Sequence, residues 1–186
     1  MHQRPRSPIT DSSAFRLDDA LRGALGTRLV DVAYNNSSGA DWPNWNSSSP
    51  VHEVDLDVRL AFERAVIVTS WAMEGLTEGI DVSLDHDALP NATNVQGTPR
   101  WRPFVGQTLQ EAAASWHVPN EGCPVTLWAI RLTFTHASSV SIALGEIEDG
   151  DVQYQPDALL VLFGESAARA YRPPAALDNA LGSPLG

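Results

Sequence analysis

A seven-residue segment occurs twice in this 186-residue chain, each time inside an apolar alternation that suits a β-hairpin. Arg59-Leu60-Ala61-Phe62-Glu63-Arg64-Ala65 returns 72 positions later as Arg131-Leu132-Thr133-Phe134-Thr135-His136-Ala137. At the same offset Val68 meets Val140, Thr69 meets Ser141 and Glu74 meets Glu146. Two unrelated strands would share apolar positions, but not arginine, alanine and glutamate in step with them. The pattern therefore predicts a duplicated module with matched surfaces.

Along the first copy, Leu17, Ala20, Leu21, Ala24 and Leu25 follow helical spacing, with Gly26 as the stop. Leu29 to Tyr34 reads as a strand with Val30, Val32 and Tyr34 on one face. Val54, Leu56, Val58, Leu60 and Phe62 alternate as one half-buried strand. It turns at Glu63-Arg64 and returns from Ala65 to Trp71, and Gly79 to Leu84 makes a third strand.

In the second copy Thr108-Leu109-Gln110-Glu111 has the form of a capping box, and Leu109, Ala112, Ala113 and Trp116 form a helical stripe. A helix is expected there. Leu127 to Phe134 with Ser139 to Leu144 forms the second hairpin. Ala158 to Phe163 is a strand buried on both faces, and Glu165 to Tyr171 is a closing helix before Pro173-Pro174.

The expected class is α+β: a mostly antiparallel sheet or split barrel built from two tandem related halves, each with a β-hairpin, plus two or three short helices. A disordered arm is expected over 1–13. A single globular domain over 14–172 holds two repeats, about 17–90 and 97–165, and 173–186 is a loose tail.

Charge narrows the partners. Acidic residues number 23 and basic ones 12, all arginine, for a formal net charge of -11. That disfavours nucleic acid, which needs a cationic surface to displace counterions, and anionic lipid equally. It permits a basic protein partner. The absence of lysine, beside abundant alanine, glycine, proline and arginine, reads as a GC-rich bacterial genome, and removes Walker-type phosphate binding and Schiff-base chemistry. One cysteine, Cys123, excludes an internal disulfide. With no apolar stretch behind the charged start and no run long enough to span a bilayer, a cytoplasmic protein is expected. No cofactor or metal is expected, since the acidic loops at Asp81–Asp87 and Glu146–Asp151 match neither calcium-loop nor zinc spacing.

Each copy carries a Trp/Pro-Asn loop, and antiparallel counting places that loop beside its matched glutamate. Trp42, Asn44 and Glu74 form one expected cluster; Trp116, Asn120 and Glu146 form the other. The segment from Trp116 to Pro124 adds His117, Glu121 and Cys123, on a loop between regular elements where function tends to sit. The alternative is that the indoles plug sheet ends and the glutamates solvate strand termini.

No nucleophile motif, glycine-rich loop or metal spacing is present, so no catalytic residue is assigned. The leading expectation is a non-enzymatic acidic binding protein for a basic protein partner, of the inhibitor, immunity or adaptor type. The alternatives are a hydrolase using a Glu74/Glu146 pair or the His117–Cys123 loop, and a small-ligand sensor with a groove between the halves.

Overall fold

Two antiparallel sheets carry most of the molecule in the computed structural model, which describes residues 6–36, 46–84, 92–172 and 183–184. One sheet uses β1 (Leu29–Asn35), β3 (Asp57–Phe62), β4 (Val66–Glu74), β5 (Thr77–Leu84) and β6 (Ala92–Asn94), in the order β5-β4-β3-β1-β6. The other uses β2 (Val51–Val54), β7 (Leu109–His117), β8 (Thr126–Phe134), β9 (Ser139–Leu144), β12 (Leu159–Phe163) and β13 (Ser183–Pro184), in the order β13-β7-β8-β9-β12-β2. A separate ribbon pairs β10 (Glu146–Glu148) with β11 (Asp151–Gln153). With α1 (Phe15–Arg22) and α2 (Gly164–Ala170) the class is α+β, and the two sheets do not close into a barrel.

Leu60, Ile67, Ile80 and Val82 of one sheet and Ile130, Leu132, Ile142 and Val161 of the other belong to one apolar cluster. Between them a chain of rings runs from His52 through Tyr34 and Trp101 to Phe163. Trp101 Nε1 donates to Tyr34 Oη at 2.5 Å, and Tyr34 Oη lies 3.0 Å from His52 Nδ1.

Several elements follow the sequence pattern: the hairpins β3–β4 and β8–β9, strand β5, both helices, and β12, whose five residues are all buried. Four differ, each for a local reason. The expected helix at Leu109–Trp116 is strand β7. The ladder runs Leu109 with Phe134, then Glu111 with Thr133, so Gln110 is an extra residue. That bulge turns Leu109 and Ala112 to the same face at a spacing that imitates a helix.

The long strand expected from Val54 to Phe62 breaks at Asp55–Leu56. Its first part, β2, pairs with β12, while β3 pairs with β1 in the other sheet. A bulge between Leu29 and Asp31 buries Leu29 and leaves Val30 exposed, against the expected inward Val30.

Residues 6–13, expected as part of a disordered arm, are tied to both sheets. Ile9 is fully buried, its N donates to Ile80 O, and its O accepts from Leu127 N.

The two hairpins are not equivalent throughout. In β3–β4, Leu60 faces Ile67; in β8–β9, Leu132 faces Val140. The second turn is therefore one residue longer. Beyond it, the constant-offset matches Val68/Val140 and Glu74/Glu146 fall out of step, and a one-residue step reverses which side chain points inward.

Candidate functional site

The loop that leaves β7 and the turn that joins β4 to β5 are far apart in sequence and bonded together in space. Asn120 Nδ2 donates to Leu76 O at 2.7 Å, and Cys123 Sγ approaches the same oxygen at 3.4 Å. Gly75 (φ 63) and Gly122 (φ 81) supply the left-handed backbone that the two turns need. The joined turns hold Leu76 at 74% exposure, Val118 at 51% and Met73 at 46%. Glu74 and Glu121 are exposed at the edge of the same unit. Met73, Leu76 and Val118 are thus exposed apolar side chains on or next to the joined turns, with Glu74 and Glu121 close to them in sequence.

The end of β7 that leads into this loop carries a set of buried and half-buried rings. His117 closes β7 and is 5% exposed. Its ring sits edge-on to Tyr154 at 5.3 Å, with Nε2 3.4 Å from Tyr154 Oη. Tyr154 Oη donates to Glu78 Oε1. Burial beside Glu78 raises the Tyr154 pKa far above its ordinary value. Trp128, skipped by the ladder between Ser115/Ala129 and Trp116/Leu127, bulges toward this set and stacks on Tyr171 at 5.7 Å.

Burial lowers the His117 pKa to about 4, so its imidazole is neutral at pH 7. It is a packed ring and a poor base. The folded-state pKa lies below the unfolded value of about 6.5. The stability from burying neutral His117 is therefore fully present above about pH 6.5 and is lost as pH falls toward 4. Going from pH 7 to pH 5, His117→Phe should lose about 2 kcal/mol less than the native chain in urea denaturation. Equal losses would show that His117 adds nothing to the acid sensitivity, to which His52, its pKa also lowered by burial to about 4, contributes in both chains.

The other expected residues divide. Trp116 is half-buried and packs against the core, as an indole that plugs a sheet end does. Glu146 opens β10 opposite Gln153, whereas Glu74 ends β4 opposite Thr77, so the two are not counterparts in the ladders. Partial burial, then Asp157 and Glu53, raise the Glu146 pKa. Glu53 also accepts from Ile147 N at 2.9 Å. Trp42, Asn44, and the Asp85, His86 and Asp87 part of the first acidic loop lie outside the described residues. Among the described residues no three His, Cys, Asp or Glu side chains gather as metal ligands. No helix among them is long and apolar enough to cross a membrane.

Sequence reasoning missed Leu76, Glu78, Tyr154 and Tyr171. Two of these carried a signal: Leu76 is a lone apolar residue inside the turn Gly75-Leu76-Thr77, and Tyr154 is a lone aromatic between two glutamines. Comparison with protein-family models, with curated proteins and with solved structures finds no match.

Proposed function

We propose that this chain is an acidic, non-enzymatic binding protein whose contact surface is the unit formed by the β4–β5 turn and the 118–123 loop. Its partner is a protein segment that offers apolar side chains flanked by arginine or lysine. The observation that carries this reading is the joint anchoring of Asn120 and Cys123 on Leu76 O, which ties together two turns that bear or adjoin the exposed Met73, Leu76 and Val118. Leaving such side chains in water costs free energy that a partner recovers by covering them. Glu74 and Glu121, in a chain of net charge -11, favour a cationic partner and speed its approach.

A hydrolase draws less support. His117 is held neutral beside Tyr154, and Cys123 directs its sulfur to a backbone oxygen. The sequence echo fits one ancestral hairpin copied into each sheet, the two turns since differing by one residue.

The reading is tested by titrating the isotopically labelled full chain with a synthetic peptide of alternating leucine and arginine. Amide shifts should concentrate at Met73–Glu78 and Val118–Cys123. Leu76→Asp should weaken binding by about tenfold or more, as expected when a central apolar anchor is lost. Added salt should weaken it further. Unchanged affinity in the variant, or equal binding of a leucine–glutamate peptide, would refute the proposal.

A further inference from the structure

Two arginines line one shallow depression of about 260 Å3 in a chain of net charge -11. The depression lies where the start of β9, the end of β12 and the 99–104 turn meet. Phe104 and Phe163, both almost buried, give it apolar walls, and Arg100, Arg131 and Ser139 give it polar ones. The two phenyl rings are 6.1 Å apart, and each packs edge-on against the buried Trp101 ring, at 6.0 and 5.1 Å. The apolar wall is therefore part of the core and already rigid.

The arginines are positioned by bonds that leave room for exchange. Arg100 Nε donates to Ser48 O at 2.7 Å. Arg131 Nη2 donates to Glu165 Oε1 at 2.7 Å, and this pair is open to water, with the two side chains 28% and 49% exposed. An ion pair at that exposure is screened and adds little to stability. Glu165 thus marks where a carboxylate sits on Arg131 and gives way readily to another.

We infer that this depression binds a small aromatic carboxylate. The ring lies on Phe104 and Phe163, and the carboxylate displaces Glu165 from Arg131 with Arg100 as the second cation. Guanidinium groups match carboxylates in planar, two-point geometry, so charge and shape select the same ligand class. The volume falls just below the range of roughly 300–1,000 Å3 that holds drug-sized molecules, which favours a single ring. A neutral or cationic ring of the same size gains the apolar contact only.

Benzoate is the probe, titrated into the labelled full chain, with benzyl alcohol and benzylamine in parallel. Saturable shifts are expected at Phe104, Arg131, Ser139 and Phe163 and at the Trp101 indole, with a dissociation constant of about 1 mM. Arg131→Gln should weaken benzoate about tenfold. Glu165→Gln should strengthen it, because the internal competitor loses its charge. This second variant keeps the test decisive if the first fails to fold.

Absence of saturable benzoate shifts in both the native chain and the Glu165→Gln variant would overturn the proposal. So would equal binding of benzyl alcohol or benzylamine, weaker binding in Glu165→Gln, or unchanged binding in a folded Arg131→Gln. The shifting residues are separate from Met73–Glu78 and Val118–Cys123, so either proposal can fail without the other.

Discussion

Asp57→Ala should destabilise the protein by about 3 kcal/mol, with no loss of packed apolar volume to account for it. Asp57 is fully buried at the start of β3, and three donors converge on its carboxylate. Asn35 Nδ2 donates to Oδ2 at 2.7 Å, Ser70 Oγ donates to Oδ1 at 2.5 Å, and Arg6 lies 2.7 Å from Oδ1. Asn35, Asp57 and Ser70 share one row across the sheet, since Asn35 faces Asp57 and Asp57 faces Ser70 in the ladders, and Arg6 reaches the carboxylate from the N-terminal segment.

Removing the carboxylate leaves an amide and a hydroxyl in a nearly dry place without their acceptor, and each carries a desolvation cost. Arg6 is 23% exposed, so it recovers part of its hydration and the loss stays short of the upper end for buried ion pairs. Urea denaturation at pH 7 measures the effect. Asp57→Asn, which keeps an acceptor oxygen, should recover about half of it. A loss under about 0.5 kcal/mol for Asp57→Ala would mean that water replaces the carboxylate at no cost.

The Asp57 row also shows what the sequence could convey. Alternation locates β3, β4, β8 and β9, because period two survives in any strand with one face on a core. It fails at β7, where one bulged residue, Gln110, shifts the phase and the three alanines Ala112–Ala114 favour a helix when read alone. It also fails at Asp55–Leu56, where the pattern passes unbroken through a bend that carries the chain from one sheet to the other.

The candidate surface is half legible. His117, Asn120 and Glu121 stand out as a dense polar cluster. Their neighbour Leu76 lies 44 positions from Asn120, and no local pattern joins a turn residue to a loop that far away. The N-terminal segment misleads for a related reason. Its composition resembles a loose tail, and only the partners Ile80, Leu127 and Asp57 make Ile9 and Arg6 structural.

Gly145→Ala should cost about 3 kcal/mol or more, a large effect for one added methyl group. Gly145 joins β9 to the β10–β11 ribbon, and its N donates to Ala158 O at 3.0 Å. A Cβ there would stand 2.5 Å from Gln153 O, 2.6 Å from Leu160 Cδ1 and 3.1 Å from Tyr171 Cε2. Leu160 can rotate away, but the carbonyl of Gln153 belongs to the ribbon backbone and cannot move without carrying β11 and Tyr154 with it. The damage should therefore be directional. Amides of residues 146–154 should exchange hydrogen faster, and the contacts of Tyr154 with Glu78 and His117 should loosen before the sheets do.

Gly150 provides the internal comparison at the other end of the same ribbon. A Cβ there meets nothing within 4 Å, and the strain comes only from its φ of +86°. Gly150→Ala should accordingly cost about 1 kcal/mol, the usual penalty for a left-handed non-glycine residue, and should leave exchange near Tyr154 unchanged. Two glycines five positions apart would then separate crowding from backbone strain. Equal losses in the two variants, or a Gly145→Ala chain as stable as the native one, would show that the ribbon does not press on the Gly145 backbone as the structure has it.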